Sequence, residues 1–134
     1  MSKKKKAVIL IIGIFAVIII ISSVVISKIA KDFEDDMAEL IIHDVDMSKL
    51  PDGIYEGSYN TIAIKVIVEV AIEDGQIKNI ELIKHQNGQG DAAEAILPIV
   101  QKEQSLEVEV ISGATYSSKS ILKAIENALT SNKE

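Results

Sequence analysis

The hydrophobic pattern divides the chain into three parts, and the first is an unbroken apolar run. This run, AVILIIGIFAVIIIISSVVIS, extends from Ala7 to Ser27 and carries no charged residue. At about 1.5 Å per residue, a helix of this length matches the roughly 30 Å hydrocarbon core of a bilayer. A cleaved signal peptide has a shorter apolar run followed by a small-x-small site, which this sequence lacks. The pattern therefore predicts a retained transmembrane anchor over residues 7–27.

The second part, residues 28–51, has apolar positions at helical spacing and then loses that pattern. The apolar residues at intervals of three or four are Ile29, Phe33, Met37, Leu40 and Ile41. We expect a short helix that leaves the membrane, followed by a linker that contains His43, for which the sequence suggests no role. The turn composition of Pro51-Asp52-Gly53 marks the start of a compact domain.

The third part, residues 52–130, has the period-two alternation of β-strands. GIYEGSYN predicts a short strand, and TIAIKVIVEVAI predicts a longer one from Thr61 to Ile72. Its alternate apolar positions are Ile62, Ile64, Val66, Val68, Val70 and Ile72. The sequence Glu73-Asp74-Gly75-Gln76 predicts a hairpin turn, because Asp-Gly accommodates positive φ. IKNIELIKH then predicts the returning strand, and LEVEVI, residues 106–111, predicts a further strand.

Two helices complete the predicted domain. Residues 86–104 predict a glycine loop and then a helix, in which Pro98 should cause a kink or an early end. The apolar face of that helix is predicted to be Ala92, Ile96, Ile99 and Val100. Residues 117–131 predict a last helix whose inward face is Ile121, Ile125, Ala128 and Leu129. The predicted fold class is α+β: a small antiparallel sheet with two packing helices, preceded by one N-terminal transmembrane helix.

The charge distribution predicts an orientation and excludes several kinds of site. Lys3 to Lys6 precede the apolar run, whereas the chain from Asp32 onward holds eight Lys against all twenty Asp and Glu. The positive-inside rule then places residues 1–6 in the cytoplasm and the acidic domain outside the cell membrane. The chain has no Arg and a net charge of -6, which argues against nucleic acid as a partner. The chain has no Cys, which excludes disulfides and thiolate metal sites, and no metal ligands are predicted.

The stretch ISGATYSSKS is crowded with aliphatic hydroxyls, at Ser112, Thr115, Ser117, Ser118 and Ser120. It differs from a Walker A loop at Ser118, where that loop needs Gly to wrap phosphates, and no parallel sheet is predicted, so an NTPase is disfavoured. In the simplest interpretation, Ser117 or Ser118 caps the last helix. A helix N-terminus flanked by Gly and hydroxyls also suits a bound phosphate.

The segment SGATYSS, preceded by QSLEVEVI, resembles the flavinylation motif of the FMN-binding domain family, Asp-x-x-(Ser/Thr)-Gly-Ala-Thr. This family includes flavoprotein subunits of the Na+-pumping quinone reductase and of ferredoxin:NAD oxidoreductase complexes, and small membrane-anchored flavoproteins of Gram-positive bacteria. PDGIYEGSY resembles the opening strand of the family, and EDGQIKNIELIKHQNGQGDAAEAI resembles its hairpin, glycine loop and helix. The resemblance covers almost all of Asp52–Leu129.

The resemblance implies a covalently bound FMN, joined through its phosphate to Thr115 by a phosphothreonyl bond. Ser112, Gly113 and Ala114 would form the turn that a flavin transferase recognises when it uses FAD and Mg2+. The other residues that the resemblance places at the cofactor are Tyr116, Ser117, Ser118, Gly88 and Gly90, the glycines allowing close approach of the backbone to the ring. The Asp of the family motif is Glu109 here, one methylene longer, so attachment depends on how well Glu109 replaces it.

The function implied is that of an extracytoplasmic electron carrier with a single-pass anchor and FMN on Thr115. A membrane redox partner would supply electrons, and the domain, residues 52–130, would have no substrate pocket of its own. The alternative is an anchored binding or regulatory module without covalent flavin. Three other residues stay open: His85 either contacts flavin or a partner or ends a strand in solvent, and Tyr55 and Tyr59 either stack on flavin or pack in the sheet. Residues 131–134 are assigned to a short tail.

Overall fold

The computed structural model describes residues 1–86 and 91–131. The chain divides into two compact units, Met1–Ala38 and Glu39–Glu134. The predicted glycine loop, with Gly88 and Gly90, lies outside the described residues.

The first unit consists of a long apolar helix, α1, which runs from Lys3 to Glu39. Every residue from Val8 to Ile26 is exposed, so this part of the helix is apolar on all sides without protein cover. The hydroxyls of Ser22 and Ser23 donate to the carbonyls of Ile19 and Ile20, each at 2.9 Å, so their polar groups are satisfied within the helix. The helix is long and apolar enough to cross a membrane, as the sequence predicts, and it continues without a break through the predicted juxtamembrane helix.

The second unit contains a three-stranded antiparallel sheet in the order β1-β2-β3. Its strands are β1 (Gly53–Asn60), β2 (Lys65–Glu73) and β3 (Gln76–Gln86). One face of β2 is buried, with Val66, Val68, Val70 and Ile72 at alternate positions. The predicted hairpin is confirmed: Asp74 and Gly75 have φ of 52° and 72°, the positive values that a tight two-residue turn requires.

The first end of β2 corrects the sequence interpretation, because the strand begins at Lys65 and not at Thr61. The Thr61 N–H donates to the Ile64 carbonyl at 2.7 Å, and the Thr61 hydroxyl accepts from the Ile64 N–H at 2.9 Å. A Thr side chain that bonds neighbouring backbone competes with strand pairing, and here it closes the turn between β1 and β2. Ile62, predicted on the buried face, lies in this turn and is 73% exposed.

The segment after the glycine loop forms a 3-10 helix, Asp91–Ala95, that continues directly into α2, Ile96–Glu103. Pro98 lies in the first turn of α2, where the missing N–H costs nothing because it would have no partner within the helix. The change from 3-10 to α geometry therefore precedes the proline. The predicted apolar face is only half right: Ala93, Ile96 and Val100 are buried, while Ala92 and Ile99 are exposed.

The prediction of a further strand in LEVEVI is wrong. Residues 107–111 have no helix or strand structure in the described chain, although the segment is fixed at both ends by side chains. The Leu106 N–H donates to Asp44 Oδ1 at 2.9 Å, and the Ile111 N–H donates to Ser118 Oγ at 3.1 Å. The amides at the two ends of this segment are therefore bonded to side chains and not to a neighbouring strand.

The last helix, α3, runs from Thr115 to Thr130 and packs on β1 and β2, while α2 packs on β3. The predicted inward residues of α3 are all buried: Ile121, Ile125, Ala128 and Leu129. The α+β fold class is confirmed, with a three-stranded antiparallel sheet, packing helices and an N-terminal apolar helix. The core lies between the sheet and α3. Because α3 packs on the sheet, the hydroxyl-rich segment at the start of α3 is held in place.

Candidate cofactor-attachment site

A tight turn connects the extended segment to α3. The Ala114 N–H donates to the Ile111 carbonyl at 3.0 Å, which closes a four-residue turn over Ser112 and Gly113. Gly113 has φ of 79°, a left-handed conformation that suits glycine at the third position of such a turn. In the described part of the chain, a Cβ on Gly113 would have no atom within 4 Å. The turn therefore needs glycine for its backbone conformation and leaves open space beside it.

Thr115 is the first residue of α3, and its side chain is exposed. The N-cap position is occupied by Ala114, which has φ of -136° and ψ of 41° and whose methyl group offers no oxygen to the helix amides. The first α-helical bond here is the 2.9 Å bond from the Ser118 N–H to the Ala114 carbonyl. Amides ahead of that bond, such as those of Thr115 and Ser117, have no acceptor within the helix. The Thr115 hydroxyl thus lies at the positive end of a 16-residue helix.

The structure corrects the predicted capping by Ser117 and Ser118. The helix begins two residues earlier than the sequence interpretation placed it, so both serines lie inside its first turn, and both are buried. Ser118 instead accepts the Ile111 N–H, which fixes the incoming segment against the helix. Ser120 is also buried and donates its hydroxyl to the Tyr116 carbonyl at 2.8 Å.

The remaining predicted site residues lie around this turn or apart from it. Tyr116 is 40% exposed and follows Thr115 directly, and Lys119 is half-buried one helical turn after Thr115. Glu109 is exposed, three residues before Ser112. Tyr55 is buried in the sheet, with its hydroxyl donating to the Pro51 carbonyl at 2.6 Å, so its role is sheet packing.

His85, near the end of β3, is not the solvated strand end that the sequence allowed. Its side chain is only 2% exposed, and its Nδ1 lies 3.1 Å from Glu94 Oε1 in the 3-10 helix. Asp91 completes a group whose ligand-type atoms all lie within 4.8 Å of one another. Local sequence pattern does not predict this group, because residues 86–90 separate His85 from the two acids in the sequence and no periodicity links them.

A second cluster joins the linker to α3 through Glu126, which is 7% exposed. The His43 N–H donates to Glu126 Oε2 at 3.1 Å, and His43 Nδ1 lies 3.3 Å from Oε1. Lys123 Nζ lies 3.1 Å from both carboxylate oxygens. Burial raises the pKa of Glu126, but the His43 amide and the Lys123 ammonium outweigh burial and hold that pKa below its usual value. His43, for which the sequence suggested no role, therefore fastens the linker to the domain.

Comparison with known proteins places this site in a family. The family model of the FMN-binding domain matches residues 60–130 of the sequence, from the end of β1 to the end of α3. The chain belongs to the FMN-binding domain family. The matched region includes the turn at Gly113, the exposed Thr115 and the whole of α3, so the expected family is confirmed, with the match beginning after PDGIYEGSY. FMN is the cofactor that this membership supports.

One curated relative is similar to part of this chain. An uncharacterized protein of Treponema pallidum (strain Nichols) is 29% identical over 85 residues, which cover 61% of this chain and 24% of the relative. This chain therefore spans about a quarter of that protein's length.

Proposed function

We propose that this protein is a membrane-anchored, extracytoplasmic electron carrier in which FMN is joined to Thr115 through a phosphoester bond. Family membership supports flavin binding, and one observation of the structure supports the attachment residue. Thr115 presents an exposed hydroxyl at a helix N-terminus whose cap position is an alanine. The finer statements rest on this geometry and on the motif SGAT.

The residues around Thr115 fit a phosphate. Helix amides without intrahelical acceptors and the helix dipole both favour a negative group at this end. Gly113 and Ala114 add almost no bulk, and the space beside Gly113 is open within the described chain. Lys119, four residues after Thr115, lies on the same side of the helix and adds a positive charge nearby. The chain has no Arg, so backbone amides and Lys are the groups that would hold the phosphate.

Attachment is a group transfer that a flavin transferase would perform with FAD and Mg2+. The Thr115 oxygen attacks the FMN-side phosphorus of FAD, a new O–P bond forms and the pyrophosphate P–O bond breaks. AMP leaves with the electron pair of that bond, and the threonine proton passes to solvent or to a base of the transferase. Glu109, exposed before the turn, is placed to contact the transferase, in the position where the family motif has Asp.

Bound FMN would supply the electron-accepting and electron-donating chemistry, and the protein would supply attachment and orientation. Tyr116, exposed beside Thr115, is the aromatic residue nearest in sequence to the attachment point, and we assign it to contact with the ring. The protein acts as a carrier between a membrane redox partner and an outside acceptor, and not as an enzyme with its own substrate. The apolar run of α1 and the Lys residues that precede this run in the helix support anchoring with the N-terminus in the cytoplasm.

Mass spectrometry and fluorescence test the attachment. The protein is co-expressed with a flavin transferase, denatured and separated on a gel, where in-gel fluorescence reports covalent flavin. Cleavage after Lys gives a peptide of residues 103–119, and we expect it to gain the mass of FMN less one water, with fragmentation assigning the gain to Thr115.

The matched variants are Thr115→Ala, which should abolish the fluorescence, and Ser58→Ala, which removes an exposed hydroxyl of β1 and should retain it. A colourless, unmodified parent protein would favour the alternative of a binding or regulatory module without covalent flavin. Fluorescence that survives in Thr115→Ala would assign the bond to another hydroxyl.

The absence of Cys allows a direct test of orientation. Single cysteines are introduced by Ser2→Cys at the N-terminus and by Glu73→Cys, an exposed position at the end of β2. A membrane-impermeant maleimide applied to intact cells should label the second variant and not the first. Labelling at position 2 alone would place the domain in the cytoplasm and contradict the proposal.

A further inference from the structure

His85, Asp91 and Glu94, which lie on elements other than α3, bring one imidazole and two carboxylates together. His85 lies near the end of β3, and both acids lie on the 3-10 helix Asp91–Ala95. One ligand-type atom from each residue lies within 4.8 Å of those of the other two. Side chains from two different elements therefore form a group that is able to coordinate a cation.

We propose that these three residues bind a divalent transition-metal ion of the zinc class. Imidazole nitrogen suits zinc, cobalt, nickel and copper, whereas Mg2+ and Ca2+ prefer oxygen ligands alone. The two carboxylates offset the charge of a divalent cation, and the His85 imidazole adds the nitrogen that selects against Mg2+. Three protein ligands leave at least one coordination position for water or another group.

The geometry of the His85 and Glu94 pair supports this assignment. The distance from His85 Nδ1 to Glu94 Oε1 is 3.1 Å. Two ligands of a tetrahedral zinc ion, each bonded at about 2.0–2.1 Å, lie about 3.3 Å apart. One edge of the coordination shell is thus already close to the length that a bound ion would require.

Burial makes the three residues unequal in a way that suits metal binding. The His85 side chain is 2% exposed, so its ring is held in position by the surrounding protein. The Glu94 side chain is 48% exposed, and Asp91 is exposed as well, so both acids lie on the solvent side of the group. An ion could reach the buried His85 nitrogen from solvent through the two exposed carboxylates. Because the 3-10 helix packs on α3, a bound ion would also cross-link β3 to the helical side of the domain.

Metal titration of the full-length protein in detergent tests this site without relying on redox activity. The Thr115→Ala protein is used, so that no flavin absorbance overlaps the signal. After chelation and dialysis, Co2+ is added and visible absorption is recorded. We expect one Co2+ per chain, displacement by one equivalent of Zn2+, and no displacement by excess Mg2+.

Variants assign the ligands. Asp91→Asn and Glu94→Gln should each raise the Co2+ dissociation constant by more than about tenfold, since even the loss of an outer-shell partner costs roughly 10–100-fold. His85→Ala should abolish saturable binding. The matched controls are His43→Ala, which removes the other histidine, and Glu103→Gln, an exposed carboxylate of α2; both should bind within about twofold of the parent.

Absence of saturable binding, or equal affinity in the parent, Asp91→Asn and Glu94→Gln proteins, overturns the proposal. If His85→Ala loses its circular dichroism spectrum, the two carboxylate variants decide, because their side chains are exposed and their substitution leaves the core unchanged.

Discussion

Gly57 of β1 lies directly against the backbone of Ala128 in α3, with no room for a side chain between them. A Cβ on Gly57 would lie 2.6 Å from Ala128 Cα and would also overlap the Ala124 carbonyl oxygen. One residue along the strand, Asn127 Nδ2 donates to the Ser58 carbonyl at 2.9 Å. Strand and helix therefore meet backbone to backbone, and the position of α3 depends on this glycine.

We predict that Gly57→Ala lowers the free energy of unfolding by about 3 kcal/mol or more, at the upper end of the range for overpacking. The clash is with main-chain atoms, which cannot rotate away, so the whole helix must shift. Denaturant unfolding of the full-length protein, followed by circular dichroism, measures the change. Ser58→Ala, on the exposed face of the same strand, is the control and should change stability by less than about 0.5 kcal/mol. Equal free energies of unfolding for Gly57→Ala and Ser58→Ala would show that α3 moves away from β1 at little cost in stability.

Gly113 should respond differently, because its constraint is conformational and not steric. Its φ of 79° is unfavourable for residues with a Cβ, but the space around it is open in the described chain. We expect Gly113→Ala to cost about 1–2 kcal/mol of unfolding free energy, and Gly113→Asn to cost less, because Asn tolerates left-handed backbone. The same unfolding assay separates these two variants. A larger loss for Asn than for Ala would mean that packing, and not backbone conformation, selects glycine here.

Glu109 is predicted to limit the rate of flavin attachment. Glu109→Asp restores the shorter carboxylate of the family motif and should speed modification several-fold, whereas Glu109→Gln removes the charge and should slow it. A time course of in-gel fluorescence at limiting transferase measures both changes. Glu107→Asp, an exposed position in the same segment, serves as control and should match the parent. Equal rates for all four proteins would exclude a role of the Glu109 carboxylate in attachment.

The Glu126 cluster should make stability depend on acid pH. The folded-state pKa of Glu126 lies below its usual value, so the carboxylate stabilises the fold above about pH 4.3 and this contribution is lost as pH falls through the folded pKa. Glu126→Gln should therefore cost about 1–2 kcal/mol at pH 7, with the difference from the parent shrinking toward pH 3.

Unfolding measured from pH 7 to pH 3 in parent and variant tests this. The pKa of Asp46 is also lowered, by hydrogen bonds from Ser48 and Lys49, but this effect is common to both proteins and cancels in the comparison. A difference between parent and variant that stays constant with pH would assign the stabilisation to packing and not to charge.

Much of the fold follows from local pattern. Alternation over Val66 to Ile72 predicted the central strand because one face of β2 is buried and the other is not. The Asp74-Gly75 pair predicted the hairpin because few residue pairs accept positive φ at both positions. The apolar residues of α3 predicted its inward face for the same physical reason, since the 3.6-residue period places them on one side.

The remaining features depend on contacts between distant residues, which local pattern does not contain. Asp44 and Ser118 accept hydrogen bonds from the amides of Leu106 and Ile111, contacts that the strand-like alternation of this segment does not predict. The N-terminus of α3 begins at Thr115 although two serines downstream have better capping chemistry, because Ser118 bonds across the turn instead. The approach of His85 to Glu94 likewise depends on the path of the chain between β3 and the 3-10 helix.

Burial of Ser117, Ser118 and Ser120 has a consequence for the order of maturation. In an unfolded chain, a modifying enzyme would meet five aliphatic hydroxyls between Ser112 and Ser120, closely spaced and chemically alike. Once α3 has packed on the sheet, Ser112 and Thr115 are the two of these five aliphatic hydroxyl residues that remain exposed. A transferase that acts on the folded domain would therefore meet two of these five hydroxyls, and it would need far less discrimination among acceptors.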